Sequence, residues 1–158
     1  MAGAHQLQPP LQDGLGLQPT DGIMNLTAAE LHHLQAAEGW LELGMHVEAF
    51  NELDEIEPLH QTHPEVLLLR GRIYLAGNKP DQAHVILSTV CELLPRVPDA
   101  WFYLACACSR RGEPISAEAS LKKCFITAAK LNEEQKWQDH ALLTKHLDGL
   151  WCSNQISI

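Results

Sequence analysis

Nine histidines and five cysteines are the side chains of this 158-residue chain with metal-binding or nucleophilic chemistry to offer. A structural zinc ion takes four converging donors. Cys106 and Cys108 stand two apart in a helical pattern, so they diverge and cannot chelate one ion. His32 and His33 are adjacent and diverge likewise, while His60 and His63 flank a turn without a second pair of ligands. No glycine-rich phosphate loop, nucleophile elbow or paired-carboxylate site can be placed. The reading is therefore no catalytic residue, no metal, no cofactor and no enzyme. A Cys- or His-dependent enzyme or metal-binding protein ranks last among the functional alternatives.

The cysteines bear on compartment instead. Cys91, Cys106, Cys108, Cys124 and Cys152 are odd in number and mostly embedded in helical patterns, which predicts reduced thiols and a cytoplasmic protein. Twenty acidic against eleven basic residues give a net charge of −9. That balance argues against nucleic acid, whose recognition rests on clustered Lys and Arg, and against an anionic membrane surface. No apolar run approaches the roughly 18 residues of a spanning helix, so membrane insertion is not expected. The start of the chain lacks the basic and apolar regions of a secretory signal.

Strides of 34 residues expose how the chain is constructed. Gly44 maps to Asn78 and Gly112, Ala49 to Ala83 and Ala117, and Leu53 to Leu87 and Leu121. Ala37 maps to Gly71 and Ala105, Trp40 to Tyr74 and Cys108, and Leu34 to Leu68 and Phe102. A fixed period of that length signals stacked copies of one supersecondary unit. Seven helices are predicted: Ala28–Leu43, His46–Glu57, Pro64–Ala76, Pro80–Leu93, Pro98–Arg111, Pro114–Leu131 and Glu133–Trp151. Thr27 and Glu30 form a capping box at the first start. Gly44, Gly77-Asn78 and Gly112 mark left-handed stops, and Pro80 and Pro114 suit first turns, where no N–H is needed.

In the last helix Trp137, Ala141, Leu147 and Trp151 line a face suited to covering the final apolar edge. Residues 1–25, rich in Gln, Pro and Gly, read as an irregular tail, residues 26–151 as the folded unit, and residues 152–158 as a second tail.

The pattern resembles the tetratricopeptide repeat, which sets a small residue at position 8 of 34, an aromatic at 11, Gly or Asn at 15 and Ala at 20. Repeat 30–63 carries Ala37, Trp40, Gly44 and Ala49, repeat 64–97 carries Gly71, Tyr74, Asn78 and Ala83, and repeat 98–131 carries Ala105, Gly112 and Ala117. Cys108 departs from the aromatic rule. The resemblance implies an all-α, right-handed α–α superhelix of about seven helices, closed by the capping helix 133–151. It also implies a concave groove that binds peptides or helical segments of other proteins.

Carried over by position, that groove would draw Leu34, Glu38, Leu41 and Glu42 from the first repeat. The second would supply Glu65, Leu68, Arg72 and Leu75, and the third Asp99, Phe102, Cys106, Ser109 and Arg110. The row Leu34, Leu68 and Phe102 either lines an open groove or is core buried by superhelical curvature; the groove is the reading adopted. Cys106 there is either a reactive thiol or, as preferred, a small buried hydrophobe.

Co-chaperone members of the family hold an acidic tail with Lys, Asn and Arg. Here the matching positions are Leu34, Glu38, Leu69, Asp99 and Tyr103, which cannot grip a carboxylate.

The expected function is a protein-binding scaffold or adaptor holding an apolar or amphipathic segment of a partner. The alternative is a type III secretion-like chaperone for translocator proteins, which the chain resembles in size, acidity and repeat number. Self-association through an uncovered edge is a further expectation. Leu7, Leu11, Leu15 and Leu17 in the tail either visit the groove or remain disordered.

Overall fold

The computed structural model describes residues 25–144. The predicted tails (save Asn25), the residues Leu147 and Trp151 assigned to the last helix from sequence, and Cys152 fall outside the described residues. Among those described there are seven α-helices and no strand: α1 (Ala28–Glu42), α2 (His46–Asp54), α3 (Pro64–Ala76), α4 (Pro80–Leu93), α5 (Pro98–Arg110), α6 (Pro114–Ala129) and α7 (Glu134–Leu143). None of these helices is long and apolar enough to cross a membrane.

Four helices, α3, α4, α5 and α6, open on proline, whose missing N–H would have had no partner in the first turn. The first helix of each pair ends in the same way. Gly44 and Gly112 take φ +77° and Asn78 takes φ 56°, so the left-handed residue of the second stop is the asparagine and not Gly77. Beyond each one the chain closes a further bond: Met45 N donates to Trp40 O, Lys79 N to Tyr74 O, and Glu113 N to Cys108 O. These satisfy carbonyls that a helix end leaves open.

α2 stops at Asp54, short of the predicted Glu57. Pro58 follows, and a residue before proline is driven out of the helical region, as Glu57 shows with ψ 141°. A short 3₁₀ turn, Pro58–His60, bridges to α3, and the Gln61 amide caps Leu53 O and Ile56 O at 2.7 Å each.

Within each pair the recurring small and apolar residues meet. Ala49 and Leu53 in α2, with Ile56 just beyond it, are buried, as are their counterparts Ala83, Leu87 and Val90 in α4 and Ala117, Leu121 and Cys124 in α6. Each pair packs against the next, α2 on α3 and α4 on α5. The first helices also touch in series, α1 on α3 and α3 on α5, whereas α2–α4 and α4–α6 contacts are slight or absent among the described residues. α7 packs on α6 and closes the end with Trp137, 2% exposed, and Ala141. α7 finishes at Leu143 with Thr144 extended, and the remainder of the span predicted to Trp151 lies outside the described residues.

Candidate protein-binding face

The series α1, α3, α5 brings the carried-over positions together, and they divide into open and closed. Leu34, Leu41 and Leu68 are half-buried, each resting one side on the core while the other remains accessible. Leu75, Phe102 and Cys106 are core residues. Phe102 is 1% exposed because α7 lies over it: the Trp137 and His140 rings sit 5.3 and 4.6 Å away, and Tyr103 meets its edge at 5.4 Å. The third repeat therefore contributes less lining than its positions predict. Tyr103, half-buried, takes its place at that end.

Charges bridge the face. Arg72 Nη1 donates to Glu38 Oε1 at 2.8 Å, residues one full period apart, and its guanidinium lies 5.2 Å from the centre of the Tyr103 ring. Burial alone would weaken the Arg72 charge, yet Tyr103, Glu38 and Asp99 outweigh it and hold that charge more firmly than usual. Glu38, Glu42 and Glu65 are exposed and Asp99 is half-buried, so the rim is acidic. Arg110 instead donates to the Leu75 carbonyl near the end of α3. Ser109 is half-buried. Burial pushes the Cys106 thiol up to about 12, which leaves it without thiolate character at neutral pH.

Glu30 joins α1 to the turn before α3. Its carboxylate accepts from Thr27 N (2.8 Å) and Thr27 Oγ1 (2.9 Å), then from Glu57 N (3.3 Å) and the His60 ring at Nδ1 (2.6 Å). The Thr27 backbone bond, ahead of the contributions from His60, holds this carboxyl at about 2 despite the opposing effect of burial. Glu30, Glu57 and His60 are metal-type groups close together. Glu30 already accepts from the His60 ring and from the Glu57 backbone N–H, so these bonds serve the junction of α1 with the turn before α3. Glu52 plays a similar part between α1 and α2, its carboxyl lowered first by the His33 bond (2.9 Å) and also by the Trp40 indole (3.3 Å).

Two features escape a reading by position. A cavity of about 290 Å³ lies between α2 and α3, lined by His46, Val47, Phe50, Ile73 and Tyr74 among others. The second is a cluster of His84, Cys108 and Glu113 between α4, α5 and the following turn. Its sequence signal is Cys108, which stands where Tyr74 and Trp40 stand one and two strides of 34 residues earlier. A scan against protein-family models and a search of the curated proteins each found no match for the chain.

Proposed function

We propose that the chain is a protein-binding scaffold of tetratricopeptide-like, superhelical build, which holds an amphipathic segment of a partner on the face of α1 and α3. The observation that carries this is the half-open leucine set Leu34, Leu41 and Leu68, crossed by the Glu38–Arg72 pair and rimmed with carboxylates. Contact along α1, α3 and α5, without matching contact along α2, α4 and α6, supports curvature toward that face. An apolar stripe would seat on the leucines, and basic side chains would meet Glu42, Glu65 and Asp99. The scaffold acts by non-covalent binding.

A panel of amphipathic helical peptides with basic or acidic polar faces, titrated by fluorescence anisotropy, tests the reading. Basic members should bind, and Leu68→Glu should weaken them at least about tenfold, the cost of losing a central apolar anchor. Equal binding of both peptide classes, or no loss on Leu68→Glu, would remove this face from the account. Phe102→Glu is not an equivalent probe, because it would bury a carboxylate beneath Trp137 and unfold the end of the array.

A further inference from the structure

The helix pairs meet at two equivalent junctions, α2 against α3 and α4 against α5. A stride of 34 residues carries Phe50 to His84, Tyr74 to Cys108 and Lys79 to Glu113. At the first junction the Phe50 and Tyr74 rings lie 5.9 Å apart, beside the 290 Å³ cavity whose wall includes Lys79. At the second, the same three positions present an imidazole, a thiol and a carboxylate with donor atoms all within 4.8 Å of one another. Two rings and an amine have given way to three metal-type donors at a fixed place in the architecture.

We propose that His84, Cys108 and Glu113 form a binding site for a zinc-type divalent transition ion, which ties α4 to α5 and to the turn leading into α6.

The donor set selects the ion. A thiolate with an imidazole suits zinc and its neighbours and disfavours magnesium or calcium, which want oxygen ligands. A tetrahedral ion with bonds of about 2.0–2.3 Å sets its donors about 3.5 Å apart, and the three donor atoms here all lie within 4.8 Å of one another. Glu113 is the N-cap residue of α6 but makes no capping hydrogen bond, so its carboxylate is not committed to the helix end. Arg111 Nη2 lies 3.1 Å from Glu113 Oε1 while Arg111 Nε holds Asp81 at 3.0 Å. That pair orients the carboxylate and leaves it lone pairs for an ion, as outer groups do around metal ligands. Cys108 is buried, and His84 and Glu113 are half-buried, so the ion enters from their side. Cys108 binds as thiolate, its proton passing to solvent; His84 binds through a neutral ring nitrogen, Glu113 as carboxylate, and a water completes the shell. None of the three belongs to the proposed binding face, so either reading stands without the other.

The test is titration of the chelator-treated full chain with Co²⁺, followed by displacement with Zn²⁺. One Co²⁺ per chain should bind and give a thiolate-to-metal charge-transfer band that Zn²⁺ removes. Cys108→Ser should abolish the band and Cys106→Ser should leave it. His84→Gln and Glu113→Gln should weaken Co²⁺ at least about tenfold, with helicity checked by circular dichroism. Glu113→Gln alters a partly exposed side chain, so it remains informative should Cys108→Ser fail to fold. No charge-transfer band from the wild type, a band that survives Cys108→Ser, or unchanged affinity in Glu113→Gln would each overturn the proposal.

Discussion

Glu30 shows how much structure one side chain can organise, and its titration gives a direct reading of that work. Its folded carboxyl is held at about 2 against an ordinary 4.5, so folding favours the ionised form. The resulting stabilisation is complete above about 4.5 and drains away as pH falls toward about 2. Glu30→Gln should therefore melt lower than wild type at pH 7, with the gap closing as pH drops through that window. A gap of constant size down to pH 2 would assign the effect to shape alone. Gly71 sets a different limit. A Cβ there would stand 2.6 Å from Leu87 Cδ2 and 2.7 Å from Cγ, and Leu87 is itself fully buried. Helix propensity favours alanine by about 1 kcal/mol, but overpacking costs about 1–3 kcal/mol. Gly71→Ala should therefore lower the urea midpoint of unfolding; a rise would mean that α3 and α4 separate easily.

At the scale of elements, α7 both seals the array and narrows the face. Removing its buried ring by Trp137→Ala should cost about 3–5 kcal/mol, as for other buried aromatics, and should increase binding of a hydrophobic dye by uncovering Phe102. Thermal melting and dye fluorescence check the two effects, and an unchanged melting point would show that α7 contributes little. Helix starts and stops were the most legible part of the sequence, because Pro64, Pro80, Pro98 and Pro114 and the left-handed Gly44, Asn78 and Gly112 act locally. The early end of α2 was written in Pro58, whose effect on the residues before it the helical reading to Glu57 leaves out. Covering of Phe102 was not legible, since it depends on where α7 docks some 35 residues later. The His84, Cys108 and Glu113 cluster was hidden for a similar reason: its members come from three elements, and spacing along one helix says nothing of them.

At the scale of the whole molecule, a net charge of −9 and a carboxylate rim beside half-open leucines favour a partner segment that is apolar on one side and basic on the other. Ile115, 82% exposed on α6, supplies the control, since a charge there disturbs neither the core nor the α1–α3 face. The most direct measurement is capture of partners from native cell extract by wild type, Leu68→Glu and Ile115→Glu, each confirmed as folded. The account predicts a set of proteins retained by wild type and Ile115→Glu and lost from Leu68→Glu. Retention of that set by Leu68→Glu, or its equal loss from both variants, would contradict it.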